Sequence, residues 1–82
     1  MTDEERQANL EQLAACEKFG EEAYDAMYQE HSSSGATGRY SDAKEAFYDA
    51  IRVARELGMT EKVEALEKRL EHIKAVFRSQ FT

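Results

Sequence analysis

Gly38-Arg39-Tyr40-Ser41-Asp42-Ala43-Lys44-Glu45-Ala46-Phe47-Tyr48-Asp49-Ala50 reads as a turn that opens directly into an amphipathic helix. Beyond it, Ile51, Val53, Ala54 and Leu57 continue the apolar series begun by Ala43, Ala46, Phe47 and Ala50. At about 100° per residue these positions share an arc of roughly 160°. Asp42, Lys44, Glu45, Asp49, Arg52, Arg55 and Glu56 lie outside it. An arc this wide exceeds what one neighbouring helix covers, so the spacing predicts a helix with neighbours on two sides. Ser41 is the expected N-cap, because its hydroxyl can accept from a free first-turn amide. Gly58 supplies the expected left-handed stop after Leu57.

Working outward, the chain has 82 residues, no proline and abundant Ala, Glu, Leu and Lys, which favours helix throughout. No alternating run bounded by turn signals suggests a strand. The formal net charge is −6, with nine acidic and two basic side chains in residues 1–30. So acidic a first segment repels phosphate backbones and argues against nucleic acid as a partner. No apolar run is long enough to span a membrane and no leader pattern is visible, so a soluble, cytoplasmic setting is expected. Cys16 is the single cysteine, which leaves no internal disulfide to staple a small core.

Thr2 and Glu5 have capping-box spacing, and Asp3 and Glu4 suit the positive end of a helix dipole. Leu10, Leu13, Ala14, Cys16, Gly20, Ala23, Tyr24 and Met27 then hold one phase. Gly20 costs a helix about 1 kcal/mol relative to alanine. The phase does not change across it, so one helix over residues 3–30 is expected, with Gly20 admitting a close neighbour. Residues 31–38, His-Ser-Ser-Ser-Gly-Ala-Thr-Gly, lack periodicity and read as a flexible connection, residues 31–39, before a helix over 40–57. A phosphate cradle from Gly35, Thr37 and Gly38 lacks the Gly-Lys-Ser/Thr and preceding strand that would support it. From Thr60, the stripe Met59, Val63, Leu66, Leu70, Ile73, Phe77 predicts a third helix over 60–79, broadened by Val76 and Phe81.

Gly38, Tyr40, Ala43, Phe47 and Ala50 resemble the second helix of a tetratricopeptide repeat, in which glycine, aromatic and small residues recur at these offsets. Phe19-Gly20 resembles the Leu-Gly of the repeat's first helix. Cys16 replaces a common tryptophan, Tyr24 falls one position after the expected aromatic, and the usual proline near Arg55 is absent. Gly20 and Gly38 are also eleven residues further apart than the family places them. The resemblance covers a single partial repeat. It implies a helical hairpin plus one helix, a protein–protein interaction role and no catalysis. One and a half repeats do not bury their own faces, which implies a standing partner or a homodimer.

The residues give little independent support for chemistry. Cys16 lies on an apolar face without a base or an electropositive setting, as a small buried hydrophobe would. His31 and His72 have no His, Cys or carboxylate at i±3 or i±4, so no metal site is read from spacing, and no cofactor either. No catalytic residue is assigned. Tyr48 points about 140° from the centre of its helix's apolar arc, among Lys44, Arg52 and Arg55. Its ring can lie on the Arg52 stem, or the four can form an aromatic–cationic interaction patch.

The expectation is an all-α, antiparallel three-helix bundle of one domain, residues 1–82. Its expected role is non-enzymatic: an interaction or adaptor module that docks another protein or itself. The alternative is a small-ligand binder with a pocket near Tyr24, Met27, Tyr40 and Phe47; an enzyme subunit active only in a complex is a third.

Overall fold

A computed structural model describes residues 1–81. It contains three helices and, among the described residues, no strand: α1 (Asp3–Gln29), α2 (Ser33–Glu56) and α3 (Thr60–Phe81). The chain runs up, down and up, and α2 is the central element against which both α1 and α3 pack. This arrangement follows from the wide apolar arc of α2, which buries Ala36, Ala43, Ala46, Phe47, Ala50, Ile51, Val53 and Ala54.

α1 passes through Gly20 without a break. The neighbour admitted there is the ring of Phe47: a β-carbon on Gly20 would stand 2.7 Å from Phe47 Cε2. Phe47 is itself fully enclosed, with Leu13, Ala23, Ile51, Leu66, Leu70 and Ile73 in the same core cluster. The α3 stripe is buried from Val63 to Ile73, while Met59 and Phe77 at its ends are partly exposed. Ala14, expected on the inner face of α1, is exposed.

Three helix ends follow from local chemistry. The Thr2 hydroxyl accepts from the Glu5 amide at 3.1 Å and donates to the Glu5 carboxylate at 3.1 Å. Gly58 has φ +71°, and the pair Met59 N–H to Ala54 C=O and Gly58 N–H to Arg55 C=O closes α2 in a Schellman turn. The Ser32 hydroxyl accepts from the Gly35 amide at 3.1 Å and so begins α2.

That last cap corrects the expected linker. Residues 33–39 are helical, Gly38 lies inside α2 and is not a turn, and Ser32, not Ser41, is the N-cap. Two features outweigh the low propensity of the Ser/Gly stretch. Ala36 is fully buried, so extending the helix removes apolar surface from water. The Glu30 carboxylate lies over Gly35, within about 3 Å of where a β-carbon would stand, against the positive end of the α2 dipole. The added residues between Gly20 and Gly38 are thus largely taken up as helix rather than loop.

Candidate functional site

The two faces of the helical layer differ. On one, α1 and α3 reach each other through long side chains. Lys62 Nζ meets Glu17 Oε1 at 2.8 Å, and the Arg69 guanidinium grips Glu21 with two bonds of 2.8 and 2.6 Å. Arg69 also lies over the Tyr24 ring at 5.0 Å, and the Tyr24 hydroxyl approaches His72 Nε2 at 3.5 Å. The hydrogen bond to Glu21, more than any other influence, holds the Arg69 guanidinium above its ordinary pKa.

On the opposite face, α1 and α2 leave an open groove of about 390 Å³. α1 contributes Gln12, Ala15, Cys16 and Phe19; α2 contributes Asp42, Glu45, Ala46 and Asp49. These residues fall on the groove because the inner stripes of the two helices are already committed to the core. Ala15 and Ala46 are small, so the groove is shallow in side-chain terms and its floor is apolar. Phe19 stands on the α1 wall with 54% of its surface exposed, among the most exposed large apolar side chains of the molecule. Burial pushes the partly exposed Cys16 thiol above its ordinary pKa, and the Asp49 carboxylate adds to the rise. A thiol so placed is a poor nucleophile at neutral pH.

The four patch residues lie along α2 at spacings of four, four and three, and each has a partner of its own. Tyr48 and Arg55 share the cleft between α2 and α3, but Lys44 and Arg52 do not line it. The cation beside the Tyr48 ring is Lys74 of α3, which also donates to the Tyr48 hydroxyl at 2.9 Å. That hydrogen bond, ahead of other influences, raises the Lys74 pKa. Arg52 pairs with Glu56 at 3.3 Å, Arg55 with Glu67 at 3.7 Å, and Lys44 lies over the Tyr40 ring at 4.9 Å. Each of the four is engaged within the chain.

The pocket expected near Tyr24, Met27, Tyr40 and Phe47 does not assemble. Met27 and Phe47 are enclosed in the interior, Tyr24 faces His72 and Arg69, and Tyr40 stacks on Phe77 with centroids 4.1 Å apart. The groove escaped sequence reasoning because Asp42, Glu45 and Asp49 read as ordinary outer positions and Phe19 counts there only as part of the Phe19-Gly20 resemblance. The available signal was Phe19 itself, a large aromatic off the apolar stripe of α1.

Among the described residues no group of three His, Cys, Asp or Glu side chains is placed to hold a metal ion. Nor, among the described residues, is any helix long and apolar enough to cross a membrane. Neither the known protein families, nor the curated proteins, nor the solved structures provide a match to this chain.

Proposed function

We propose that this chain is a small non-enzymatic interaction module that docks another protein through the face of the α1–α2 hairpin that α3 leaves open. The observation that carries the reading is the groove with Phe19 on its wall. An exposed aromatic beside an apolar floor is the surface chemistry that concentrates binding energy in protein interfaces. The tetratricopeptide-like pattern of Tyr40, Ala43, Phe47 and Ala50 agrees with such a role.

A photo-crosslinking amino acid at position 19 tests this in cells. A discrete protein adduct is expected there, and none from the same probe at position 64, an exposed site on α3. No adduct at 19, or equal labelling at both positions, counts against docking. An adduct twice the mass of the chain would mean that the partner is a second copy.

The ligand-binding alternative transfers from Tyr24, Met27, Tyr40 and Phe47 to this groove, whose volume falls within the range of small-molecule sites. Its openness on one side suits an extended or helical occupant better than a small molecule, which needs most of its surface covered. A monomer whose melting temperature rises with a metabolite would favour the ligand reading.

A further inference from the structure

The groove has the acidic half of a helix–helix contact without its cationic half. Asp42, Glu45 and Asp49 lie along its α2 wall at offsets of three and four. They form a row about 10 Å long, given a rise of 1.5 Å per residue. Elsewhere, carboxylates in the spaces between helices are met by a cation from the facing helix: Glu17 by Lys62, Glu21 by Arg69, Glu67 by Arg55. Among the described residues, none of the three groove carboxylates has an ion pair. The opposite wall offers Gln12 and Phe19 and no charge. Arg52, close enough to Cys16 to offset part of its pKa rise, is tied to Glu56.

We infer that the occupant of this groove is a cationic amphipathic helix of a partner protein. Its apolar stripe lies over Ala15, Ala46 and Phe19, and a flanking row of Lys or Arg at the same three-and-four spacing meets Asp42, Glu45 and Asp49. The recurrence matches because helices packed side by side repeat their contacts at these offsets. The alanines of the floor allow close approach, and the exclusion of water around Phe19 strengthens the charge contacts beside it.

A second copy of this chain does not supply that row. Its cations are largely engaged within the chain: Arg39 with Glu30, Arg52 with Glu56, Arg55 with Glu67, Lys62 with Glu17, Arg69 with Glu21, Lys74 with Tyr48 and Lys44 with the Tyr40 ring, and Arg78 is engaged as well. Arg6, Lys18 and Lys68 are spread over two helices and are not spaced as a row.

This inference rests on the docking role proposed above and narrows it to one partner chemistry. Its test uses three synthetic helical peptides with the same leucine stripe, flanked at three-and-four spacing by Lys, by Gln or by Glu. Fluorescence anisotropy measures their binding to the full chain, and alkylation of Cys16 reports whether the groove is covered. The Lys peptide should bind at least about tenfold more tightly than the Gln peptide, and the Glu peptide more weakly still. Its affinity should fall with added salt and drop by about tenfold or more in the triple variant D42N/E45Q/D49N. Bound Lys peptide should slow Cys16 alkylation, and Phe19→Ala should weaken all three peptides.

Equal binding of the three peptides, with loss on Phe19→Ala, would overturn the charge assignment and leave the docking role standing. Lys-peptide binding that ignores the triple variant, or leaves Cys16 alkylation unchanged, would overturn the location. No binding by any peptide at about 1 mM would overturn the inference. The crosslink at position 19 would then decide the docking role separately. Circular dichroism of each variant separates lost binding from lost fold.

Discussion

Two seams hold α1 in place, and they are built from opposite materials. Against α2 it presents Leu13, Gly20 and Ala23, and the gap opened by the missing side chain of Gly20 is filled by the Phe47 ring. Against α3 it presents Glu17, Glu21 and Tyr24, which meet Lys62, Arg69 and His72 at the ends of long side chains. The first seam is close, apolar and independent of salt. The second spans a wider separation through groups that remain partly in water, where ion pairs contribute little. The difference teaches where the fold's stability resides. The close α1–α2 seam and the buried α3 stripe of Val63, Leu66, Leu70 and Ile73 form the structural body, and the ionic ties add a weaker link between α1 and α3.

The largest expected effect breaks the first seam. Phe47→Ala removes an enclosed ring and should cost about 3–5 kcal/mol, enough to leave a domain this small partly unfolded at room temperature. Urea denaturation followed by circular dichroism would measure it. A cost below about 1 kcal/mol would mean that Phe47 is not the packing centre.

Gly20→Ala comes next. Alanine favours the helix by about 1 kcal/mol, but its β-carbon meets a ring that is itself locked in the core, and overpacking of this kind costs about 1–3 kcal/mol. A net destabilisation is expected, and it should shrink in the background of Phe47→Leu. A stabilised single variant would show that the ring moves freely.

Ser32→Ala tests whether the early start of α2 contributes to the same seam. Loss of the hydroxyl that accepts from Gly35 should cost about 1 kcal/mol, with faster amide exchange confined to residues 33–39. Uniform protection in the variant would contradict the capping role.

Glu21→Gln addresses the second seam. Both partners of Glu21–Arg69 are more than a third exposed, so the loss should stay below about 1 kcal/mol despite the two-bond geometry. It should also fade between low and high salt, whereas the cost of Phe47→Ala should not. A salt-independent loss would merge the two seams into one kind.

The smallest effect concerns reactivity. Burial first, and Asp49 second, keep the Cys16 thiol neutral to higher pH than a free thiol. Alkylation should therefore lag behind free cysteine, and the lag should persist beyond the ordinary thiol value and close only as the pH passes the raised value of the folded thiol. Asp49→Asn should speed it modestly at a fixed alkaline pH. The linked effect on stability has one sign: because the folded thiol holds its proton longer, stability falls as pH rises past the unfolded thiol's pKa.

Much of this was legible in the residues. The inner face of α2 from Ala43 to Leu57, the α3 stripe and the continuity of α1 across Gly20 are periodic signals, and periodicity reports which side of a helix meets a core. The Gly58 stop was legible because a left-handed position after a helix favours glycine for a steric reason. The start of α2 was not, since His31 to Gly38 has linker composition. Its helicity depends on Ala36 being buried and on Glu30 lying over Gly35, and both are contacts across a chain reversal. The groove was hidden for a related reason. Asp42, Glu45 and Asp49 look like a solvated row until the α1 wall and Phe19 are set opposite them. Likewise the Lys44, Tyr48, Arg52 and Arg55 patch was read from one helix alone, and α3 claims Tyr48 and Arg55 through Lys74 and Glu67.

Only residues 30–32 and 57–59 separate the three helices. With corners so short, most native contacts join segments that are neighbours along the chain, and little loop entropy must be surrendered before packing begins. Such local topologies fold on a microsecond-to-millisecond scale. The sequence also contains no proline, so no peptide-bond isomerisation of the usual kind can divide the refolding population. Recovery from denaturant should therefore run as a single rapid phase.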